Sequence, residues 1–302
     1  MEVGRTLEGT VAVVTGASRG VGKGLAVGLG EAGATVYVTG RTVEEGVAPG
    51  GQPGTVAATA AEVTAAGGTG IGVRCDSTVD AEVEALFARV LAEQGRIDVL
   101  VNNAWGGYER FHDGSGHGPG PFWRQPVQLW DALWQVPVRS HYVAARLAAQ
   151  SMVPRRRGLI VSTSFWGAQS YVHPVGYGVA HAAIDRLTAD MAWELEPHGV
   201  TAVSLYPGLV RTEGVMRHAQ FFDLSNSESP QFQGRAVAAL AGDEDVLRHT
   251  GRPLVSAELA GEYGFVDVDG ARPRSARAHM LSRARQEAER PPLDAEQGRP
   301  AG

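Results

Sequence analysis

A short apolar run that leads directly into a glycine-rich turn is the feature that most limits how this chain can fold. The run is Val11–Val14, and the turn is Thr15-Gly16-Ala17-Ser18-Arg19-Gly20-Val21-Gly22. Leu25, Ala26 and Leu29 follow at helical spacing, which predicts a buried strand, a tight turn and a helix. Glycines let the backbone approach a ligand, and a helix N-terminus offers N–H groups to an anion. The segment therefore predicts a phosphate-binding turn, although an unrelated glycine-rich turn between a strand and a helix would look similar.

Apolar runs alternate with helical patterns along most of the chain. Strands are predicted at 11–14, 35–39, 71–75, 99–101, 159–162 and 200–205, and helices through 21–31, within 55–66, and through 79–94 and 177–196. This alternation predicts an α/β fold of Rossmann type, in which a doubly wound parallel sheet lies between two helical layers. We assign residues 1–270 to a single dinucleotide-binding domain and 271–302 to a flexible C-terminal extension.

Three segments interrupt this alternation. Residues 43–54, 106–121 and 215–233 are polar or rich in glycine and proline, so we predict long loops there. A last apolar segment, 263–268, lies near the end of the domain.

Composition excludes several classes of protein. The formal net charge is −6, and no continuous basic face precedes the tail, so nucleic acid is not expected as a partner. No signal peptide is expected, and no apolar run is long enough to cross a membrane, so we expect a cytoplasmic protein. The single cysteine, Cys75, is expected to be a buried, inert thiol. His141, His173 and His198 show no metal-ligand spacing, so no metal site is expected.

Further motifs occur in an order that resembles the short-chain dehydrogenase/reductase family over about residues 7–270. They are Asp76 at the end of the third predicted strand, Asn102-Asn103-Ala104, Ser164 followed by Tyr177 13 positions later, and Pro207-Gly208 with Thr212. Cys75-Asp76-Ser77, Tyr177-Gly178-Val179 and Asp267-Val268-Asp269-Gly270 resemble the member 1 branch of that family.

The resemblance implies a hydride transfer with a nicotinamide cofactor. It implies that Tyr177 is the acid/base, that Ser164 holds the substrate oxygen, and that His181 stands at the third catalytic position. The cofactor-binding residues that the pattern implies are Thr15, Gly16, Ser18, Arg19, Gly20, Val21, Gly22, Arg41, Asp76, Asn103, Ala104, Tyr177, His181, Pro207, Gly208 and Thr212.

The end of the second predicted strand bears on the choice of cofactor. An acidic residue here would bind a free ribose 2′-hydroxyl, whereas an arginine accommodates a 2′-phosphate. The strand ends Thr39-Gly40-Arg41, without a carboxylate, and Arg19 could face the same phosphate. We therefore expect NADP(H) rather than NAD(H), the alternative being that Arg41 only faces solvent.

The chain departs from the family pattern at three positions. Trp105 replaces a glycine, His181 replaces the catalytic lysine, and Pro137 replaces an asparagine. A histidine is mostly neutral at pH 7, so it would not supply the permanent cation that favours a tyrosinate. These departures leave two hypotheses. One is an NADP(H)-dependent oxidoreductase of carbonyl reductase or alcohol dehydrogenase type, and the other is a catalytically silent dinucleotide-binding sensor or scaffold.

Aromatic residues in the predicted loops bear on the substrate, and the family resemblance bears on the oligomeric state. Loops after the strand ends carry Trp105, Tyr108, Phe111, Trp123, Phe165, Trp166 and Tyr171. These aromatic residues favour a bulky or aromatic small-molecule substrate, although packing in the core or in a lid explains some of them equally well. The resemblance also implies a homodimer or homotetramer that pairs through the helices containing residues 141–150 and 177–196.

Overall fold

The computed structural model describes residues 6–48, 51–106, 121–172 and 174–289. Its seven parallel strands lie in the order β3-β2-β1-β4-β5-β6-β7. They are β1 (Val11–Val14), β2 (Thr35–Gly40), β3 (Thr69–Arg74), β4 (Val99–Asn102), β5 (Gly158–Thr163), β6 (Val200–Tyr206) and β7 (Pro253–Val255). Long apolar runs with β-branched residues suit such strands, because both faces of a parallel sheet are covered.

Helices connect the strands and cover both faces of the sheet. They are α1 (Gly20–Glu31), α2 (Val56–Ala65), α3 (Asp80–Gln94), α4 (Val127–Trp134), α5 (Ser140–Arg155), α6 (Val175–Leu195), α7 (Glu213–Arg217), α8 (Pro230–Gly242), α9 (Ser256–Tyr263) and α10 (Arg277–Ala288). A π-helical turn, Gln135–Arg139, joins α4 to α5.

The two faces of the sheet hold separate apolar cores. Ala12 and Val14 of β1 pack with α1, α2, α8 and α9, whereas Val11 and Val13 pack with α3, α5 and α6. Successive side chains of a strand point to opposite faces, so one run of four apolar residues serves both cores. The predicted doubly wound α/β/α fold is thereby confirmed.

The strand order places a crevice between β1 and β4. The chain winds outward from β1 in one direction through β2 and β3, and from β4 in the other direction. Ligands of open α/β sheets bind beyond the carboxyl ends of the strands at such a reversal. The glycine turn follows β1 and Asn103 follows β4, so both lie at this point.

Helices α1 and α8 touch through glycine. A Cβ atom built on Gly28 would lie 2.6 Å from the Cα atom of Gly234, and one on Gly24 would lie 2.0 Å from the carbonyl carbon of Pro230. Only glycine permits so close an approach. The contact joins the helix that starts at the glycine turn to the helix that follows the loop after β6.

One sequence-based prediction was wrong, and one apolar segment has no regular strand. Residues 215–233 are not one loop, because α7 ends at Arg217 and α8 begins at Pro230, with Ser229 as its N-cap. Proline at the first helical position and serine before it are typical helix-start signals. The apolar segment 263–268 adds no strand, because Tyr263 ends α9, and the seventh strand is Pro253–Val255.

Residues beyond 270 include a helix that returns to the domain. Arg277 makes a double ion pair with Glu258 of α9, with both closest N–O distances at 2.8 Å, and its guanidinium lies 5.6 Å from the ring centre of Trp166. Arg283 donates to the carbonyl oxygen of Tyr171 at 2.8 Å. Helix α10 therefore lies against the turn that follows β5, while the division of the chain at residue 270 stays a prediction.

Candidate active site

The glycine turn after β1 lies directly against the turn after β4. Gly16 has a φ of +63°, in the region that favours glycine. A Cβ atom on Gly16 would lie 2.7 Å from the Cα atom of Ala104, and one on Gly22 would lie 2.2 Å from the carbonyl oxygen of Gly16. Because Gly16 and Gly22 have no side chains, the start of α1 can lie close to the end of β4. Val21, the residue between the last two glycines of the motif, packs against the core beneath the turn.

Thr15 and Asn103 lock these two turns together. The Thr15 hydroxyl accepts the backbone N–H groups of Asn103 and Ala104, at 2.9 and 3.1 Å. The Asn103 side-chain amide donates to the carbonyl oxygens of Thr15 and Gly16, both at 3.1 Å. These bonds hold the backbone of the crevice in one shape before any ligand binds, which lowers the entropy that binding would cost.

Arg19 and Arg41 both lie beside the carboxyl end of β2. Arg19 donates to the Thr42 hydroxyl and to the Gly54 carbonyl oxygen, both at 2.9 Å. Arg41 is the residue before Thr42, is exposed, and lies close enough to Asp76 to act on its pKa. Ser18, the residue before Arg19, is buried at the base of the turn. Arg19 and Arg41 thus lie near the end of β2, where the sequence predicts a 2′-phosphate.

Asp76 follows β3 and presents an ionised carboxylate. Burial raises the pKa of Asp76, but hydrogen bonds from the backbone and hydroxyl of Thr78 and the positive charge of Arg41 outweigh that effect, so the pKa lies below its usual value. The two Thr78 bonds to Oδ1 measure 3.0 and 2.7 Å. The neighbouring Cys75 is buried, and burial raises the pKa of its thiol to about 11.

Ser164, Tyr177 and His181 converge near the carboxyl end of β5. Ser164 immediately follows β5 and is buried, while Tyr177 and His181 are one turn apart on the same face of α6. The Ser164 Oγ atom lies 3.4 Å from Nδ1 of His181, and the ring centroids of Tyr177 and His181 are 4.4 Å apart. The predicted catalytic serine and tyrosine therefore both contact one imidazole.

Trp105 and His181, which both depart from the family pattern, pack on each other. Their rings are stacked, with centroids 4.5 Å apart and planes inclined by 15°. Burial lowers the pKa of His181 to about 3, and the nearby His141 adds to this effect. The imidazole is therefore neutral at pH 7. Its Nε2 atom is buried and has no hydrogen-bond partner within the described part of the chain.

Pro137, at the position of the family's asparagine, lies in the π-helical turn between α4 and α5. Proline cannot donate a backbone hydrogen bond, and its ring conflicts with the preceding turn of an α-helix. The wider π-turn accommodates it, and the Ser140 hydroxyl donates to the carbonyl oxygen of Val136.

The Pro207-Gly208 loop is held by a carboxylate that the sequence analysis did not identify. Oε2 of Glu228 accepts the Gly208 N–H at 2.8 Å, and the same carboxylate accepts the side chains of Gln233 and Ser256. Burial raises the pKa of Glu228, although these hydrogen bonds partly offset it. Thr212, farther along the loop, caps α7 through the Val215 N–H. Glu228 lies in a segment predicted to be a loop, so only its placement by the fold reveals its role.

Asp185 is a second carboxylate that the sequence analysis missed, and it is partly buried. It lies on α6 one turn beyond His181, and Tyr206, the residue before Pro207, donates its hydroxyl proton to it. Burial raises the pKa of Asp185, and the hydroxyls of Tyr206, Ser164 and Ser204 oppose that shift. Helical spacing from Tyr177 could have identified this position, because residues four apart share a face.

The aromatic residues singled out from the sequence have different surroundings. Phe165 lies near Tyr177, with ring centroids 6.4 Å apart. Trp166 is buried against Tyr206, and Trp105 packs on His181, so these two serve packing. Trp123 and Tyr171 are largely exposed. Tyr108 and Phe111 lie outside the described residues, as does His173.

Comparison with known proteins agrees with this fold and identifies the family. The model of the family described as short chain dehydrogenase matches residues 10–221. The chain belongs to the short-chain dehydrogenase/reductase family, whose members are oxidoreductases. It is 43% identical over 278 residues to the mouse protein named dehydrogenase/reductase SDR family member 1, a match that covers 87% of this chain and 85% of that one. The resemblance to the member 1 branch is thereby confirmed.

Two solved structures show the same architecture. A metagenomic short-chain oxidoreductase in complex with NADP is 31% identical, with a TM-score of 0.65, over 83% of this chain and 97% of the other. A short-chain type dehydrogenase/reductase from Mycobacterium marinum is 27% identical, with a TM-score of 0.69, over 84% and 95% of the two chains. None of the described helices is long and apolar enough to cross a membrane. The described side chains include no group of three or more His, Cys, Asp or Glu residues that could hold a metal ion.

Proposed function

We propose that this protein is an NADP(H)-dependent oxidoreductase of carbonyl reductase or alcohol dehydrogenase type. The observation that carries the proposal is the convergence of Ser164 and Tyr177 on His181, beside the crevice that the glycine turn and Asn103 form. A protein that only bound the dinucleotide would need the crevice but would not need this pair of hydroxyls.

The proposed chemistry assigns one role to each hydroxyl. The nicotinamide, when bound, exchanges a hydride with the carbon of the substrate. In reduction, the Tyr177 hydroxyl gives its proton to the carbonyl oxygen, and the Ser164 hydroxyl donates a hydrogen bond to the same oxygen. In oxidation the proton returns to the Tyr177 oxygen. Because His181 is neutral, no cation at that position favours the tyrosinate, so we expect reduction to be the easier direction at neutral pH.

Two arginines support the choice of NADP(H). Arg19 and Arg41 lie at the end of β2, and no acidic residue stands there to bind a free 2′-hydroxyl. The similar metagenomic oxidoreductase was crystallised with NADP. The remaining cofactor contacts would come from the glycine turn with Ser18 and Val21, from Asp76, from Asn103 and Ala104, from Tyr177 and His181, and from Pro207, Gly208 and Thr212.

We also propose that the protein acts as a homodimer or homotetramer. Its proposed substrate is a small molecule with a bulky or aromatic group. The outer faces of α5 and α6 carry exposed Tyr142, Val179 and Trp193, the last of them 81% exposed. Exposed aromatic residues on neighbouring helices are typical of protein interfaces. Phe165 beside Tyr177 would offer an apolar contact to the substrate.

The second candidate function is a catalytically silent dinucleotide-binding sensor or scaffold. The buried, neutral His181 at the lysine position favours it, because the family's fixed positive charge is missing there. Such a protein would bind NADPH and would turn over none of the carbonyl compounds tested.

The cofactor proposal is tested by calorimetry. We expect the unmodified protein to bind NADPH at least 10-fold more tightly than NADH, because a charge-assisted contact to phosphate contributes roughly 1.5–3 kcal/mol. Arg41→Asp should erase or reverse this preference. Arg89→Asp, which changes an exposed arginine on α3, is the control and should leave it intact. Equal affinities for both cofactors in the unmodified protein would contradict the proposal.

A further inference from the structure

The first backbone N–H of α1 already has an acidic partner from the same chain. The Gly20 N–H donates to Oε2 of Glu213 at 2.9 Å, between residues 193 positions apart. Arg19, the residue before α1, makes no side-chain capping bond. The contact is close, since a Cβ atom on Gly20 would lie 3.7 Å from a methyl carbon of Thr212. A carboxylate from the loop after β6 therefore caps α1.

This N–H group is one of those that the proposed cofactor would need. A helix N-terminus binds anions because its first N–H groups have no partner within the helix, and because its dipole is positive there. In the glycine turn, these donors are the expected ligands of a pyrophosphate. Glu213 and the pyrophosphate would be two anions competing for one donor, and each would repel the other.

The hydrogen bond that Glu213 accepts comes from α1 and not from its own helix, α7. Glu213 is the first residue of α7, where its charge favours that helix, but its side chain reaches to α1 instead. Within residues 6–48, 51–106, 121–172 and 174–289, its carboxylate makes no ion pair with an arginine, a lysine or a histidine. Glu213 is partly buried, and its Oε2 atom accepts the Gly20 N–H.

We propose that Glu213 sets the affinity of this site for its dinucleotide by occupying the Gly20 N–H in the free protein. This inference rests on the proposed function, because it requires a pyrophosphate to bind at the start of α1. Cofactor binding then displaces the carboxylate and releases α7 from the glycine turn. Since α7 belongs to the loop that begins at Pro207, the cofactor frees part of the wall of the substrate site as it binds.

Binding measurements on three variants test the proposal. The dissociation constant of NADPH is measured by calorimetry for the unmodified protein, Glu213→Gln, Glu213→Ala and Asp223→Asn. Glutamine keeps the shape and removes the charge, whereas alanine also removes the contact. Asp223→Asn removes one exposed carboxylate from the same loop, where it bonds only within its own turn. It therefore controls for the change in net charge.

We expect Glu213→Ala to bind NADPH roughly 5- to 30-fold more tightly and Glu213→Gln to show an intermediate gain, while Asp223→Asn stays within about 2-fold of the unmodified protein. Inorganic pyrophosphate, used as a competitor, should displace NADPH at lower concentration from Glu213→Ala. Unchanged or weaker binding by both Glu213 variants would overturn the proposal, as would an equal gain in Asp223→Asn.

The test does not depend on turnover. If the unmodified protein binds NADPH without turning over any substrate, the enzymatic proposal fails while the Glu213 variants still decide this one. If only the Glu213 variants bind NADPH, the inference is supported in its strongest form. If no variant binds, both proposals fail. Urea unfolding of each variant shows whether it is folded, and Glu213→Gln, which keeps the side-chain shape, decides the question should Glu213→Ala unfold.

Discussion

At the scale of single residues, the candidate active site lacks the positive charge of the family's catalytic lysine. The family's lysine is replaced by His181, which is buried against Trp105 and Tyr177. A protonated imidazole in that place would be desolvated and would have no described carboxylate in hydrogen-bond contact. The ring therefore stays neutral. The partly buried Asp185 accepts the Tyr206 hydroxyl instead, and the buried Glu228 accepts the Gly208 N–H.

The buried histidine predicts how the stability of the protein depends on pH. The pKa of His181 is lowered to about 3 in the folded protein, from an unperturbed value of 6.5. Below pH 6.5 the unfolded chain takes up a proton that the folded protein does not. The free energy of unfolding therefore falls as the pH drops from 6.5 towards 3, by about 1.4 kcal/mol per pH unit for this residue.

Urea unfolding at pH 7 and pH 5 measures this contribution. Between these values, His181→Gln should lose about 2 kcal/mol less stability than the unmodified protein, because glutamine takes up no proton. His198→Gln, at an exposed position, is the matched control and should behave like the unmodified protein. A pH dependence that is identical in all three proteins would show that His181 is not buried as described.

At the scale of elements, the contact between α1 and α8 determines where the glycine turn lies. Gly28 and Gly234 touch backbone to backbone, and a Cβ atom on Gly28 would also lie 2.8 Å from the backbone nitrogen of Arg235. Helix α1 begins at the cofactor crevice, and α8 follows the loop that carries Thr212 and Glu213. A separation of the two helices would therefore alter both sides of the proposed site.

An alanine substitution measures this contact. Gly28→Ala should lower the free energy of unfolding by about 1–3 kcal/mol, because backbone atoms cannot move aside as a flexible side chain would. Gly261→Ala in α9, where an added Cβ meets nothing within 4 Å, should raise it by up to about 1 kcal/mol, as alanine suits a helix better than glycine. Urea midpoints give both values. A Gly28→Ala protein at least as stable as the unmodified one would contradict this description.

The sequence predicted the elements well where a local pattern is sufficient. Short apolar runs between helical patterns indicated six of the seven described strands. The glycine spacing located the start of α1 to within one residue. The three-residue strand β7 was missed because Pro253-Leu254-Val255 is too short to show a period. Glu228 and Glu213 were missed because their partners, Gly208 and Gly20, are 20 and 193 positions away. No local pattern encodes such pairs.

At the scale of the whole molecule, a topological reversal gathers residues from distant parts of the chain at one edge of the sheet. β1 contributes Thr15 and the glycine turn, β4 contributes Asn103, and β5 with α6 contributes Ser164 and Tyr177. The chain belongs to the short-chain dehydrogenase/reductase family, and this gathering is what its fold provides. Of the departures from the family pattern, Trp105 and His181 stack on each other, and Pro137 lies in the π-helical turn before α5.

The measurement that tests the central proposal most directly is NADPH consumption by the unmodified protein and by Tyr177→Phe. A panel of aliphatic and bulky aromatic carbonyl compounds is used, and NADPH binding is measured in parallel. We expect turnover of at least one aromatic carbonyl compound and a loss of roughly 100-fold or more in kcat in Tyr177→Phe, because the variant removes the acid/base group. NADPH binding should weaken by no more than about 10-fold, because only one of the many proposed cofactor contacts is lost. Equal turnover in the two proteins would contradict the role of Tyr177, and NADPH binding without any turnover would favour the silent binding protein.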